Sequence, residues 1–533
     1  MKKLVTTVLC GLVTLNVLAQ TVPGRPKLVV GIVVDQMRTD YIEYLKSYFG
    51  DRGFRRMMKD GVYMRDVDFK VNDLDAASAT AMLYTGAYPS QTGVPASLIY
   101  DNESKKLTPA LADSKTLGNF TNDSYSPEKL RLSTISDELS VDGAGLAQIY
   151  AFSPDPQQSM IMAGHAGTGA FWINNTNGNW ATTTWYKPMP SQISSKNYSS
   201  SLASRIDTMQ WKPMLPIDKM PGLPRQKTLA PFRHTFPKTD KNVYIRFSES
   251  PMANREVTDM AIECLKGLNM GNTGSTIDML NLGYTVAPYK YVKDGDSRPE
   301  VTDAYLRLDK ELGRLFDAID RYVGAGNAMV WVSSTGYYDD AVIDEKKYRI
   351  PTGEFSIKRA KSLLNSYLSA RHGNAGYVDT FKDGHLYFDH KAIEQRNLDI
   401  NEVVADARSF LVKMSGVADA LTLNDILSPS TPEEERMRLS IDPKTGGDIF
   451  VTFNPGWTVV DDLSYPEVVK ATRETPVLTP AFIIAPGIVA ETISHPVDAT
   501  ALAPTVSGIL RIRSPNGSTT KPLLLNYTET HHK

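Results

Sequence analysis

The chain has 533 residues, with 58 lysines and arginines against 60 aspartates and glutamates, and a formal net charge of −2 at pH 7. This balance argues against broad electrostatic binding to nucleic acid, and 41% hydrophobic residues exclude a disordered chain because they can form a large core. Only 8 histidines and 2 cysteines are present, a small supply for a metal enzyme that depends on imidazole or thiolate ligands.

The first twenty residues resemble an export signal. Lys2 and Lys3 precede an apolar run over 4–18, and Ala19 ends a stretch suited to cleavage. The run is too short for a comfortable membrane span, and no later stretch approaches about 20 apolar residues. We therefore predict a signal peptide over 1–20 and an exported protein without a transmembrane anchor, either periplasmic or associated with the outer membrane or cell surface.

Apolar runs and helical patterns alternate along the rest of the chain. Residues 27–35 (KLVVGIVVD) form a continuous apolar run that is typical of a parallel strand buried on both faces, and the run ends on Asp35. Helical spacing follows over 41–60, and Asp75 is placed to cap a helix over 75–84. The other predicted elements are helices at 252–268, 301–323 and 499–510 and strands at 275–282, 328–334 and 481–485.

This alternation predicts an α/β fold, a doubly wound and mostly parallel central sheet with helices on both faces. Two regions interrupt the pattern, at about 170–240 and at about 346–450. We interpret both as insertions into one domain that spans 21–533.

Four of the six tryptophans lie in the first insertion: Trp172, Trp180, Trp185 and Trp211. Aromatic side chains on irregular segments can form a contact surface for a protein or a sugar. Filling a small core beneath the insertion is the simpler interpretation.

Six sequence motifs, kept in order over nearly the whole chain after the signal, resemble the alkaline phosphatase superfamily. They are LVVGIVVDQMRTDYI, GFRRMMKDGV, YTGAYPSQTGV, AGHAGTGAFW, VTDAYLRLDKELGRLFDAID and APTVSGILRIRSPNGSTTKPL. The branch that they resemble most is the secreted bacterial phosphate-irrepressible phosphatases, near the nucleotide pyrophosphatase/phosphodiesterases. The resemblance implies the doubly wound, alkaline phosphatase-like fold of that superfamily.

The resemblance also implies a chemistry that this sequence matches only in part. Members hydrolyse phosphate esters with two zinc ions, held by three Asp and three His, and with a Thr or Ser nucleophile. Asp35 matches the first metal aspartate, but the nucleophile position holds Ala76. The positions of the other metal ligands hold Thr285, Tyr289, Thr335, Gly336 and Leu478.

The phosphate-binding positions that the resemblance implies differ as well. The family's asparagine corresponds to Ser97, and its Lys-x-Arg pair corresponds to Asp155 and Gln157. Replacing two cations by an acid and an amide reverses the local preference for an anionic substrate. Ser78 and Thr80 lie near the nucleophile position, but helix capping or packing explains both hydroxyls better.

Two functional hypotheses follow. The first is an exported, catalytically inactive protein of this fold that acts as a binding or structural component of the cell envelope. It would have an unidentified envelope partner, no nucleic acid and no cofactor, because the zinc pair is predicted lost and Asp35 is only a vestigial ligand. The alternative is a metal-dependent phosphate monoester or diester hydrolase with a conventional or rebuilt site. An acidic pocket of Asp73, Asp75, Asp339 and Asp340 would suit a hard cation such as Ca²⁺ or Mg²⁺.

The state of the family's pocket distinguishes these hypotheses. Closure by Leu478 and Tyr289 would favour a structural role, whereas an open acidic pocket would keep ligand binding possible. His165 lies in the AGHAGTG motif but outside the family's metal set, so we expect a structural histidine there.

Overall fold

The computed structural model describes residues 24–224, 232–274, 276–292, 298–339, 352–463, 468–472 and 477–528. The predicted signal peptide and Asp340 lie outside these residues.

A ten-stranded sheet forms the centre of the fold. Its strands are β1 (Leu28–Asp35), β2 (Val62–Met64), β3 (Gly118–Asn119), β4 (Ile149–Ser153), β5 (Gly169–Ile173), β6 (Trp180–Thr183), β7 (Asp278–Thr285), β8 (Ala328–Ser334), β9 (Ala481–Ile484) and β10 (Glu491–Ile493). They are ordered β10-β2-β9-β8-β1-β7-β4-β5-β6-β3. The five strands from β8 to β5 run parallel, and β9 and β6 join them antiparallel. The prediction of a mostly parallel central sheet is confirmed.

Hydrophobic side chains cover both faces of the sheet. Along β1, Val30, Ile32 and Val34 belong to one hydrophobic cluster, while Val29 and Val33 belong to the other. Helices supply the outer layer of each cluster. The α-helices are Thr39–Leu45, Phe54–Asp60, Ala76–Thr85, Pro89–Thr92, Ile135–Asp142, Pro156–Ala163, Ser191–Ser199, Leu202–Arg205, Val243–Ser248, Met252–Gly267, Pro299–Ile319, Ile357–His372, His390–Glu394, Ile400–Leu411, Leu423–Leu427, Pro432–Ser440 and Leu502–Leu510. None of these described helices is long and apolar enough to cross a membrane.

The predicted helix over 41–60 is wrong, because the chain forms two helices, Thr39–Leu45 and Phe54–Asp60, with a turn between them. A distant carboxylate explains the break. Asp309 accepts the backbone N–H groups of Gly50 and Phe54, each at 2.8 Å, and so replaces the bonds that a continuous helix would make.

The first predicted insertion contains two strands of the central sheet, β5 and β6. Trp172 and Trp180 lie in these strands and are buried, and Trp211 is buried against Phe232. Trp185, just after β6, remains 37% exposed. The division of the chain into one domain with two insertions stays a prediction.

Residues 352–472, apart from those outside the described ranges, form a lobe with its own hydrophobic cluster. Its strands are Glu354–Ser356, Val378–Lys382, His385–Phe388, Val417–Thr422, Ile449–Phe453, Thr458–Asp461 and Val468–Ala471. The lobe is held to the sheet domain by hydrogen bonds and ion pairs. Asn72 bonds Glu433 at 2.8 Å, and Arg131 pairs with Asp442 at 2.6 Å.

The remaining short elements connect these parts. Strands outside the central sheet and the lobe are Val67–Asp68, Leu98–Asp101, Lys106–Pro109, Gln210–Trp211, His234–Thr235 and Val497–Asp498. Turns of 3₁₀ helix lie at Lys46–Tyr48, Pro127–Lys129, Ile206–Thr208, Ile217–Lys219 and Ala499–Ala501, and Asp320–Gly324 forms a turn of π helix.

His165 joins two segments of the sheet domain. Its Nδ1 lies 3.0 Å from the Asp137 carboxylate, and its Nε2 lies 2.8 Å from the Leu130 carbonyl oxygen. Burial lowers the pKa of His165, but the hydrogen bond and charge of Asp137 raise it overall above its usual value. Since both partners are acceptors, the protonated imidazole satisfies both. This arrangement agrees with the structural role expected from the motif.

We expect His165 to stabilise the fold most at acidic and neutral pH. Because its folded pKa is raised, its contribution is complete below the unfolded value and is lost as the pH rises through the folded pKa. The free energy of unfolding of the wild type should exceed that of His165→Gln by about 1 kcal/mol at pH 6 and by less at pH 9. Urea denaturation at several pH values measures this gap, and a gap that does not change with pH would contradict the assignment.

Candidate functional site

The carboxyl ends of β1, β7 and β8 meet at one edge of the sheet. In the parallel register, Asp35 lies opposite Thr285, and Val34 lies opposite Ser334. Thr335 follows β8 directly. Ligands of open α/β sheets bind at this edge, so we take the group of polar side chains around Asp35 as the candidate site and refer to it as the Asp35 cleft.

Hydroxyl groups surround the Asp35 carboxylate. Its Oδ1 accepts hydrogen bonds from the Tyr337 hydroxyl at 2.8 Å and from Thr335 Oγ1 at 3.0 Å. Thr335 Oγ1 also accepts the backbone N–H of Gln36 at 2.9 Å. The three polar side chains therefore form one connected network at the end of β1.

Gln36 links this network to the loop that follows β8. Its side-chain amide donates to Asp339 Oδ2 at 2.8 Å, and its Oε1 accepts the Asp339 backbone N–H at 2.9 Å. Gln36 has a φ of 59°, a left-handed conformation that costs about 1 kcal/mol outside glycine. These paired hydrogen bonds hold the strained residue in place.

The electrostatic environment of Asp35 favours its protonated form. Burial in the cleft raises its pKa to about 6, the Tyr337 hydrogen bond lowers it, and the charge of Asp339 raises it. Lys290 also lowers the pKa, although less strongly, and its own ammonium group lies 3.6 Å from Glu249.

The nucleophile position lies at the start of the helix Ala76–Thr85. Ala76 is the first helical residue, and Asp75 caps the helix by accepting the Ser78 N–H at 2.9 Å. The second carboxylate oxygen of Asp75 accepts both the N–H and the hydroxyl of Ser97 at 2.6 Å. Both carboxylate oxygens of Asp75 therefore already accept hydrogen bonds, and Asp75 caps the helix as its sequence position indicated.

The residues at the phosphate-binding positions that the resemblance implies make hydrogen bonds to nearby backbone groups. Asp155 accepts the backbone N–H of Gln158 at 2.7 Å and caps the helix that follows it. The enclosing protein raises the pKa of Asp155 to about 6, although solvent reaches the side chain. Gln157 donates to the Ser97 carbonyl at 3.0 Å and accepts the Leu111 N–H at 3.1 Å.

Tyr289 and Leu478 do not close the cleft together. Tyr289 is only 1% exposed and packs edge-on to Trp211 and against His234, with ring centroids 5.2 and 5.1 Å apart. Leu478 is 46% exposed, and its carbonyl oxygen accepts the Thr39 N–H at 3.0 Å. Packing within the segment after β6, rather than the cleft, determines where the Tyr289 ring lies.

Gly336, to whose position the resemblance assigns a histidine ligand, lies in the loop after β8. Its φ is 80°, and a Cβ atom there would lie well inside van der Waals contact with the ring of Phe69. Phe69 is buried in the hydrophobic cluster beneath the cleft. No side chain fits at residue 336 unless this ring moves.

Only part of the predicted acidic pocket is assembled. Burial raises the pKa of Tyr337, and the charges of Asp35, Asp339 and Asp75 raise it further, so three of the acids lie around one side chain. Asp35 and Asp339 are joined through Gln36, whereas Asp75 is committed to its helix cap. The enclosing protein raises the pKa of Asp73 to about 6, and Lys470 of the lobe lowers it. Asp340 lies outside the described residues.

The sequence interpretation missed Tyr337, Gln36 and Lys290. Tyr337 and Gln36 were within reach, because each lies within two residues of a position already compared with the family. Lys290 is adjacent to Tyr289, another such position, but its charge acts on Asp35 only because the fold brings the two residues together.

Two relatives match almost the whole chain. Alkaline phosphatase PafA of Elizabethkingia meningoseptica is 29% identical over 524 residues, covering 94% of each chain. Alkaline phosphatase PhoV of Synechococcus elongatus is 24% identical, covering 94% of this chain and 93% of its own. The crystal structure of wild-type PafA superposes with a TM-score of 0.82 at 27% identity, covering 94% of this chain and 98% of PafA.

These relatives correct the expectation that the chain has no cofactor. Both relatives are alkaline phosphatases, a group for which the resemblance implies a pair of metal ions. A metal is therefore expected in the family, and the prediction that this chain has no cofactor is wrong.

The described residues do not identify the ligands of such a metal. Around Asp35 the described residues supply hydroxyl groups and the Asp339 carboxylate but no imidazole, which does not fit the carboxylate and imidazole set of a zinc pair. Within the described ranges, no group of three or more His, Cys, Asp or Glu side chains is placed to hold an ion.

A family model also matches the chain. The model of type I phosphodiesterase / nucleotide pyrophosphatase covers residues 29–477, from the first residues of β1 to just before β9. The matched segment contains Asp35, the helix that starts at Ala76, and the loop after β8. With its fold and its relatives in agreement, the chain belongs to the type I phosphodiesterase / nucleotide pyrophosphatase family.

Proposed function

We propose that this chain is an exported, catalytically inactive member of its family that acts as a binding or structural component of the cell envelope. The observation that carries the proposal is Ala76. It stands where the family has its nucleophile, and a methyl group cannot attack phosphorus.

The neighbouring hydroxyls are committed elsewhere. Thr80 Oγ1 donates to the Ala76 carbonyl oxygen at 2.6 Å, within its own helix. The Ser78 hydroxyl donates to Asp75 at 3.0 Å as part of the cap. Either hydroxyl would have to break a helix bond before it could act as a nucleophile.

The charges of the cleft also support the proposal. A phosphate ester beside Asp35 would also meet Asp339, whose charge is near enough to raise the pKa of Asp35. Lys290 offsets this charge only in part, because it also pairs with Glu249. A dianionic substrate is therefore disfavoured.

Export and the envelope location rest on the signal pattern over 1–20. The partner is unidentified, and the balanced net charge argues against nucleic acid.

A hydrolase with a rebuilt site is the second candidate, favoured by the state of Asp35. A carboxyl group whose pKa is about 6, bonded to Tyr337 and close to Asp339, has the properties of a general base that activates water.

We expect the purified mature protein to hydrolyse p-nitrophenyl phosphate and bis(p-nitrophenyl) phosphate no faster than its Asp35→Asn variant. The assays are run with and without added Zn²⁺, Mg²⁺ or Ca²⁺, and PafA serves as the positive control. A wild-type rate at least about tenfold above that of the variant would refute inactivity. If that rate also rose with pH through about 6, it would identify Asp35 as the base.

We expect Gly336→Ala to destabilise the protein more than a glycine change in open space. Gly326 is the matched control, because its φ is 79° and nothing lies within 4 Å of its Cβ position. Gly326→Ala should cost about 1–2 kcal/mol for the backbone alone. Gly336→Ala should cost roughly 2–4 kcal/mol, since contact with Phe69 adds to this.

Urea denaturation of both variants measures the difference. In a protein that already carries Phe69→Ala, adding Gly336→Ala should lower the free energy of unfolding only by the backbone cost, without the extra loss caused by contact with Phe69. Equal losses in the two glycine variants would show that Phe69 does not close the position.

A further inference from the structure

A second cavity, of about 530 Å³, opens on the sheet domain. It shares no lining residue with the Asp35 network. Its walls include Asp113, Lys115, Glu128, His165, Thr184 and Trp185. The volume lies within the roughly 300–1,000 Å³ range of small-molecule sites.

Trp185 gives the cavity an aromatic wall. Its indole N–H donates to the His165 carbonyl oxygen at 3.1 Å, so the ring is held in place and its solvent-facing part is hydrocarbon. Trp172, Trp180 and Trp211, by contrast, are buried. A large aromatic ring left at the mouth of a cavity is available for a ligand.

Leu117 connects the chain beside Trp185 to a neighbouring segment. It is 70% exposed and lies beside Thr184, whose N–H donates to the Leu117 carbonyl oxygen at 2.9 Å. The Leu117 N–H also donates to Thr184 Oγ1 at 3.0 Å, so the two bonds fix the segment before β3 to the chain just after β6 and support the Trp185 side of the cavity.

The polar groups of the cavity carry charges of both signs. Lys115 Nζ lies 3.0 and 3.1 Å from the two Glu128 carboxylate oxygens, and both side chains are well exposed. The pair offers a donor and acceptors side by side at the mouth of the cavity. Asp113 positions Lys115 by accepting its backbone N–H at 2.9 Å.

We infer that this cavity binds an uncharged pyranose sugar, with one face of the ring on Trp185 and its hydroxyls on Lys115 and Glu128. A pyranose presents a face of C–H groups, which packs against the negative face of an aromatic ring. Its hydroxyls both donate and accept, as the ammonium and carboxylate require. The carboxylates of Asp113 and Glu128 disfavour a phosphate, and the Lys115 ammonium disfavours an amine, so an uncharged ligand is favoured. This inference is independent of whether the Asp35 cleft is catalytic.

Isothermal titration of the mature protein with chitotriose, cellotriose and maltotriose tests the inference. We expect at least one trisaccharide to bind with a Kd of about 0.1–1 mM. Trp185→Ala should weaken this binding at least about tenfold, and Trp185→Phe should weaken it less, because the smaller ring keeps an aromatic face. Tyr44→Ala, which removes another exposed aromatic ring, is the matched control and should bind like the wild type.

The thermal unfolding midpoint and circular dichroism of each variant establish that it is folded. Preference for chitotriose would assign the site to N-acetylated amino sugars, and preference for either glucose trimer would assign it to plain hexoses. The inference is overturned if none of the three sugars gives binding heat, or if folded Trp185→Ala binds as tightly as the wild type.

Discussion

The parallel register of β1 between β7 and β8 is the constraint on which the rest of the structure depends. It places Asp35 opposite Thr285 and brings Thr335 beside it. Because β1 is buried on both faces, a slip by one residue would exchange its two sets of side chains between the clusters. The cleft therefore keeps its position even though few of its side chains match the family.

The residues at positions that the resemblance assigns to chemistry make local structural contacts in this chain. Gln157 bridges two backbone segments, Tyr289 packs among aromatic rings, and Thr335 donates to the one remaining carboxylate. Each new side chain satisfies a local bond or fills local space. The relatives lead us to expect a bound metal, whereas the residues at the implied ligand positions of this chain do not match the family's ligands. Any ion held here would therefore need a different set of ligands.

Local sequence patterns predicted most of the helices and strands of the central domain. The strand 328–334 and the helix after Asp75 follow directly from an apolar run and a capping residue. The break within 41–60 could not be predicted, because Asp309, more than 250 residues away, accepts the backbone N–H groups that end the helix. In the site, Asp35 was found from its place at a strand end, whereas the direction of the Tyr289 ring depends on partners that only the fold brings together.

The contact between Gly336 and Phe69 has an evolutionary consequence. The ring of Phe69 fits against residue 336 only because that residue is a glycine, so the two positions constrain each other's history. A larger residue at 336 would require the buried Phe69 ring to move or to be replaced by a smaller side chain, which would leave a void. Substitutions at these two positions should therefore be tolerated only in pairs, a larger residue at one with a smaller residue at the other.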